Sequence, residues 1–288
     1  MTYILYNPLA GHGKVDEAVK PLSDRLGEQA TAQDITQVQD YEALLSPLGE
    51  QDAVIVCGGD GTLNRFINAT EGVDIKCQVL YLATGSGNDF LRDIEAGANG
   101  EPICINKYIK QLPQVEVKGK IYRFLNNVGF GIDGYCCEVG DQLKSEGKKV
   151  NYTAIAIKGL LFHYKATGAT VTVDGQQFKY KKVWLAPTMN GRFYGGGMMA
   201  TPKQDRLDPE GKLSVLLFYG KGRLRTLIAF PSIFKGEHVK YTNMVAIHSG
   251  KEIEVTFDAP AAVQIDGETI LGVTSYRATA AVKAAVEA

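Results

Sequence analysis

Apolar residues fall in short runs separated by polar, turn-forming stretches, and the spacing of the runs changes part-way along the chain. Tyr3 to Tyr6 is an apolar run that stops at Asn7-Pro8-Leu9-Ala10-Gly11-His12-Gly13-Lys14, and a helical pattern of mixed polarity follows from Val15 to Leu26. Thr31 to Gln37 predicts a weaker strand and Tyr41 to Leu48 a short helix. Ala53 to Cys57 predicts a buried strand that breaks at Gly58-Gly59-Asp60-Gly61. A helix over Leu63 to Ala69, a second buried strand over Gln78 to Ala83 and the polar loop Thr84-Gly85-Ser86-Gly87-Asn88-Asp89 follow. Strands alternating with helices predict parallel βαβ units.

After about Tyr122 short strands dominate: Thr170 to Val173, Val183 to Ala186, Leu213 to Phe218, Ile253 to Phe257 and Ala262 to Ile265. The clearest helix in this half runs from about Val150 to Tyr164. The expectation is two domains, an α/β domain over residues 1–121 and a mostly antiparallel β domain over 122–272. The alanine-rich last residues, Ala278 to Ala288, are expected to form a small helix or a tail, with residues 273–288 returning to the first domain.

Composition narrows the function classes. With 31 Lys+Arg against 32 Asp+Glu, the net charge of -1 supplies no basic field for nucleic acid. Five cysteines without C-x-x-C spacing argue against a zinc site or a disulfide framework and point to a reducing cytoplasm. The segment Met1 to Pro8 carries no basic leader and predicts a strand rather than a signal peptide. The most apolar helical stretch, Thr153 to Tyr164, is interrupted by Lys158 and is shorter than the roughly 20 residues that span a bilayer.

Three glycine-bearing loops follow strands of the first domain, and the carboxyl ends of parallel strands open on one edge. Glycines let backbone approach a phosphate closely, and amides at the next helix N-terminus donate to its oxygens. No G-x-x-x-x-G-K-[S/T] occurs, so a Walker loop is excluded. Gly129-Phe-Gly131-Ile-Asp-Gly134 matches G-x-G-x-x-G, but without the βαβ surroundings a dinucleotide fingerprint needs.

The run Gly58-Gly59-Asp60-Gly61-Thr62-Leu63-Asn64 resembles the G-G-D-G-T loop shared by diacylglycerol and sphingoid kinases, NAD kinases and phosphofructokinases. Asn7-Pro8 with Gly11 resembles the first nucleotide loop of the lipid-kinase branch, Gly85-Ser86-Gly87-Asn88-Asp89-Phe90 its G-T-x-N-D-F loop, and Asp266-Gly267-Glu268 its late D-G-E motif. The motifs run in family order over nearly the whole chain, which resembles a bacterial soluble diacylglycerol kinase. The resemblance implies a Rossmann-like nucleotide-binding domain, a C-terminal β-sandwich and an active site in the cleft between them. Three positions depart from the pattern: Arg65 replaces a common acid, Glu116 an aspartate, and Asp208-Pro209-Glu210-Gly211 a D-D-G-x stretch.

By that resemblance Glu268 is the general base, and Asp60 and Asp89 act with Glu116 through water on the magnesium of ATP. Asn7, Pro8, Gly11, Gly58, Gly59, Gly61, Thr62, Asn64, Gly85, Ser86 and Asn88 hold the nucleotide, with Thr36 nearby. Leu207, Glu210 and Lys212 correspond to a structural magnesium loop of some members. The acceptor is a lipid alcohol reached by transient membrane-surface contact, and some members form homodimers.

The β domain offers Phe130, Phe162, Tyr164, Phe193, Tyr194, Met198 and Met199 as lining for an acceptor, although core is the ordinary place for each. Three basic runs, around Lys144 to Lys149, Lys179 to Lys182 and Lys221 to Arg225, could lean on anionic lipid. Two alternatives stay open, a kinase of a soluble acceptor such as NAD and a non-catalytic nucleotide-binding module. Intact Asp60, Asp89 and Glu268 weigh against the latter.

Overall fold

In the computed structural model, which describes residues 1–8, 15–85, 87–96 and 100–281, the apolar runs near the N-terminus form one sheet. Its strands are β1 (Thr2–Tyr6), β2 (Ala30–Asp34), β3 (Ala53–Gly58), β4 (Gln78–Ala83) and β5 (Ile103–Cys104), ordered β2-β1-β3-β4-β5. β1 to β4 pair in parallel and β5 adds an antiparallel edge. The helices are α1 (Val15–Leu26), α2 (Tyr41–Leu45), α3 (Asp60–Ala69), α4 (Asp89–Asp93) and α5 (Asn106–Ile109). Ile4, Leu5 and Val54 to Cys57 are all buried, which is why these strands read as unbroken apolar runs rather than alternating ones.

Local chemistry moved three boundaries. The strand expected over Thr31 to Gln37 stops at Asp34, whose carboxylate accepts the Thr36 amide and hydroxyl at 2.8 Å each and turns the chain into a 3₁₀ turn, Ile35–Gln37. α2 ends at Leu45 rather than Leu48. α3 starts at Asp60, three residues before the expected Leu63, so the glycine-rich motif forms the helix's first turn instead of a loop ahead of it.

The chain divides into compact units between Gln111 and Leu112, earlier than Tyr122. The second unit begins with β6 (Gln114–Val117), β7 (Lys120–Arg123), β8 (Asn127–Gly131), α6 (Ile132–Ser145), α7 (Tyr152–Lys158), β9 (Thr167–Val173), β10 (Gln176–Val183) and β11 (Leu185–Met189). It continues with β12 (Phe193–Tyr194), β13 (Met198–Met199), β14 (Leu213–Phe218), α8 (Arg223–Ala229), β15 (Val245–Gly250), β16 (Glu252–Ile265) and β17 (Glu268–Thr279). Most of these strands form one sheet, β15-β14-β11-β8-β16-β17-β6-β7, with β9 and β10 branching from β16.

β6 sits against the end of β17, with Gln114 opposite Thr279 and Glu116 opposite Arg277. That pairing draws residues 114–123 into the second unit and keeps 273–279 there, so the stretch expected to return to the first domain is strand; residues 282–288 lie outside the described residues. β16 joins two strands expected to be separate. Its first half pairs β9 and its last residues pair β8, with the register shifting between Thr256 and Ala261, where Pro260 lacks a ladder donor. The bend lets the sheet wrap a core in which Phe130 stacks on Phe257 and Tyr276 at 4.6 and 5.3 Å.

The unforeseen α6 leaves β8 directly, and the Gly129-x-Gly131-x-x-Gly134 match serves this junction. A Cβ on Gly134 would lie 2.1 Å from the Ala262 carbonyl oxygen, and one on Gly131, at φ +118°, 2.5 Å from that of Trp184. These glycines bring a helix against antiparallel strands, which is a packing role and not a dinucleotide site.

Candidate active site

The parallel register aligns the carboxyl ends of the first sheet. Tyr6 stands opposite both Asp34 and Cys57, and Gly58 opposite Ala83, so Asn7, Thr36, the β3–α3 turn and the β4–α4 loop all open on one edge. Gly11 and Ser86 lie outside the described residues.

The β3–α3 turn is fixed from below. Gly58 accepts the Tyr81 hydroxyl at 3.1 Å and the Thr84 amide at 2.9 Å on its carbonyl, and a Cβ on Gly58 would sit 2.5 Å from that of Thr62. Burial and the nearby Asp60 carboxylate push the Tyr81 phenol well above its ordinary range, so it stays a neutral donor. The Asn7 side-chain amide donates to the Thr62 hydroxyl at 3.1 Å and ties the first loop to α3. Asn64, on the same helix, is buried and receives the Asn68 amide on its backbone and side-chain oxygens. Arg65 points outward.

Asp60 joins two of the predicted loops. Its carboxylate, in the first turn of α3, accepts the Asp89 amide at 2.9 Å and the Phe90 amide at 3.4 Å. It thereby caps α4, because Asn88, the residue preceding that helix, sits at φ 49° and gives no side-chain cap. The backbones meet as well: a Cβ on Gly85 would lie 2.6 Å from the Gly59 Cα. Two glycines at this crossing leave peptide groups exposed to anything placed over them. Asp89 is buried beside Asp60, and its carboxylate lies 3.7 Å from the Arg92 guanidinium. The Thr84 hydroxyl and the Asn88 side-chain oxygen are buried with no hydrogen-bond partner among the described residues.

In the second unit Glu268 opens β17 opposite Ile265, across the two-residue turn Asp266-Gly267 with φ values of 46° and 93°. Such Asp-Gly turns suit the twist of a hairpin. Asp266 is the anchor: its carboxylate accepts the amides of Leu125, Asn126 and Asn127, at 2.5, 2.7 and 2.9 Å. Arg206 braces the same segment, donating to the Leu125 carbonyl and, at 2.8 Å, to the Asn126 side-chain oxygen. Glu268 is left solvent-exposed on a turn that cannot drift. Asp266→Ala strips three amides of their acceptor. It is expected to cost on the order of 3 kcal/mol in urea unfolding; a loss within about 1 kcal/mol would contradict the anchor.

Behind the turn lies Asp133, in the first turn of α6, buried, with the Gln264 amide donating to it at 3.3 Å. The Gln264 oxygen in turn accepts the Gly267 amide at 2.8 Å, so one side chain links a buried acid to the Glu268 hairpin. Burial raises the Asp133 carboxyl from 3.8 to about 7. Its folded form holds a proton that the unfolded chain has released between these values, so stability falls as pH rises from about 4 to about 7, by on the order of 4 kcal/mol. Asp133→Asn is expected to flatten that slope in unfolding measured across the range, and a slope unchanged in the variant would contradict it.

Two further sets of predicted residues lie elsewhere in the second unit. Glu116 is exposed on β6 of the second unit, opposite Arg277 near the far end of β17 from Glu268. Around Leu207, Glu210 and Lys212 the polar groups are tied by local bonds, the Leu207 amide donating to Asp205 at 2.9 Å. The Lys212 ammonium pairs with Glu210, its carbonyl accepts the Gln204 amide at 2.8 Å, and Asp208 accepts the Glu210 and Lys212 amides at 3.0 Å each. Of the apolar candidates, Phe130, Tyr164, Phe193, Tyr194 and Met198 are buried, whereas Phe162 is 71% exposed.

Residues 1–117 match the family model of the diacylglycerol kinase catalytic domain, and residues 126–284 that of the YegS C-terminal NAD kinase beta sandwich-like domain. The chain belongs to the diacylglycerol kinase family. It is 26% identical to a diacylglycerol kinase of Mycobacterium tuberculosis over 82% of this chain and 79% of that protein. The solved structure of a diacylglycerol kinase from Bacillus anthracis has the same fold, with a TM-score of 0.65 at 21% identity over 97% of this chain and 94% of that one. As a member of this family the protein is a lipid kinase, a transferase with an α/β unit followed by a sandwich-like β unit. Among the described residues no helix is long and apolar enough to cross a membrane. Asp133, Gln264, Asp266 and Arg206 escaped the sequence reading as site supports. The available signal was a polar Asn126-Asn127 pair and a lone aspartate, Asp133, set inside an apolar, glycine-rich run.

Proposed function

We propose that the protein transfers the γ-phosphoryl group of ATP, as its magnesium complex, to the free hydroxyl of diacylglycerol or a similar lipid alcohol in the cytoplasm, giving a phosphatidate-type product. The observation that carries the nucleotide half is Asp60, a carboxylate in the first turn of α3 that also holds the N-terminus of α4, where the Gly59 and Gly85 backbones cross.

The residues present fit the cofactors. Among the described residues no group of three or more His, Cys, Asp or Glu could hold a metal outright, whereas the Asp60 carboxylate meets the backbone amide of Asp89, which brings two acids to neighbouring turns. One or two carboxylates shared with substrate phosphates is how magnesium is usually held. The buried, partnerless Thr84 hydroxyl is a donor that a phosphate oxygen would satisfy, and the buried, partnerless Asn88 side-chain oxygen an acceptor that metal-bound water would satisfy. The bound metal supplies charge neutralisation on the transferring phosphoryl group.

The protein's own part is positioning and proton transfer. Asn7, Gly59, Gly61 and Thr62 orient the polyphosphate, Thr36 stands by at the end of β2, and Glu116 joins the metal's water network as the resemblance implies. Glu268 takes the proton of the acceptor hydroxyl as its oxygen bonds to the γ-phosphorus and the bond to ADP breaks. Incubation with labelled ATP, magnesium and, separately, diacylglycerol in mixed micelles, a sphingoid base or NAD tests the acceptor class. Label is expected in the lipid. Label in NAD alone would replace the reading with a soluble-acceptor kinase, and label in none would leave a binding module.

A further inference from the structure

Glu268 sits on a lightly held stretch of strand. After the Asp266-Gly267 turn, β17 pairs with β16 through Glu268 opposite Ile265, Thr269 opposite Gln264 and Ile270 opposite Val263; the register then shifts, with Val273 opposite Ala261. Gly272, at φ +63°, and the exposed Leu271 lie in that shift. Among the described residues the other edge of β17 is covered by β6 only at Arg277 to Thr279. Residues 268–272 thus form an edge segment bonded along one side, and the ladder alone leaves them room to swing.

Side chains tie the segment down. Val263 and Ile265 face the core, so Gln264 and its cross-strand partner Thr269 share the opposite face of the sheet, the face that carries α6. Two acids of that helix receive the pair. The Gln264 amide donates to Asp133 at 3.3 Å, and the Thr269 hydroxyl donates to Asp141, about two turns further on, at 2.8 Å. Because Gln264 also accepts the Gly267 amide, both chain neighbours of Glu268 are bound to one helix, Gly267 through Gln264 and Thr269 directly. The Lys144 ammonium, 3.2 Å from the second oxygen of Asp141, steadies that acid, and the Lys118 ammonium closes the far end of the segment by donating to the Leu271 carbonyl at 2.7 Å. A general base has to stay within hydrogen-bond reach of the proton it takes, and a misplacement of about 1 Å can cost 10²-fold in rate. Asp266 fixes the turn before Glu268; the first side-chain tie after it is Thr269. We infer that the Asp141–Thr269 bond is a latch that holds the strand carrying Glu268 against α6, which makes Thr269 and Asp141 positioning residues for the base. The inference deepens the lipid-kinase reading and rests on its assignment of Glu268.

Thr269→Val keeps the branched shape and strand preference of the side chain and removes its hydroxyl. In the full chain it is expected to quicken amide hydrogen exchange over residues 268–272 and to leave β8 and α6 unchanged. In the labelled-ATP assay with diacylglycerol micelles it should lower kcat by roughly 10- to 10²-fold with KM for ATP unaltered. Thr269→Ser, which keeps the hydroxyl, should recover most of the rate. Asp141→Ala should repeat the loss, and combining it with Thr269→Val should cost nothing further, because both remove the same bond. In a Glu268→Gln background Thr269→Val is expected to leave the residual rate alone, since it acts through the base. Exchange unchanged by Thr269→Val would remove the latch. Quickened exchange at full rate, or a rate loss that persists undiminished in Glu268→Gln, would make the bond a structural tie and overturn the positioning role. Glu268→Gln at the wild-type rate, or a wild type that passes label to no acceptor, would strike the base assignment itself and the inference with it.

Discussion

Glu268→Gln is expected to lower the rate of phosphoryl transfer by roughly 10²- to 10⁴-fold, the range over which a positioned general base contributes. The substitution keeps shape and removes basicity. Glu268 is exposed and its place is set by the Asp266 carboxylate beneath it, so the fold has little to lose. Unfolding free energy should stay within about 0.5 kcal/mol of wild type, as for surface changes in general. Asp266→Ala provides the contrast: it leaves Glu268 in the chain but frees its turn, so stability and rate should fall together. A Glu268→Gln enzyme at full rate would remove the base assignment.

Asp60→Asn is expected to reduce kcat/KM by at least about 10²-fold and to raise the magnesium concentration needed for half-maximal rate, because a metal-held phosphoryl group draws several kcal/mol of transition-state stabilisation from its charge. Asn keeps one oxygen able to accept the Asp89 amide, now 2.9 Å from Asp60. The cost in stability should therefore stay near that of a weakened helix cap, about 1 kcal/mol. The ratio separates two roles for the same carboxylate. A cap alone would lose stability and rate in proportion, with an unchanged magnesium requirement; a charge facing the nucleotide loses rate far in excess of stability.

The first unit was legible because its strands are buried on both faces. Val54 to Cys57 reads as strand for the same reason that it is inaccessible, and the turn residues after each strand mark where the edge opens. The start of α3 was not legible, since Gly-Gly-Asp-Gly has the composition of a loop; the helix begins at Asp60 because Gly58 lets Thr62 pack against the strand end. α6 was hidden by its own glycines. Gly134 and Gly140 lower helix propensity, yet a Cβ on either would strike the Ala262 carbonyl or the Tyr152 ring, at 2.1 and 2.7 Å.

The compact units part at Gln111, ahead of Tyr122, for a different reason. β6, which carries β7 on its other side, is held by β17, whose partner residues lie more than 150 positions away, and local pattern carries no trace of such a pairing. The site followed the same division. Glycines, Asp60, Asp89 and Glu268 stand in short motifs, whereas Asp133, Gln264 and Arg206 support the hairpin from distant parts of the chain and only coordinates join them.

The most direct test is the identity of the product when the wild-type protein is given γ-labelled ATP, magnesium and diacylglycerol in mixed micelles, with the lipid fraction resolved by mass. The account predicts a phosphomonoester on the lipid's free hydroxyl, formed with one ADP per product and lost in Glu268→Gln. Unmodified diacylglycerol, with the label released as inorganic phosphate or carried by a water-soluble acceptor, would contradict it.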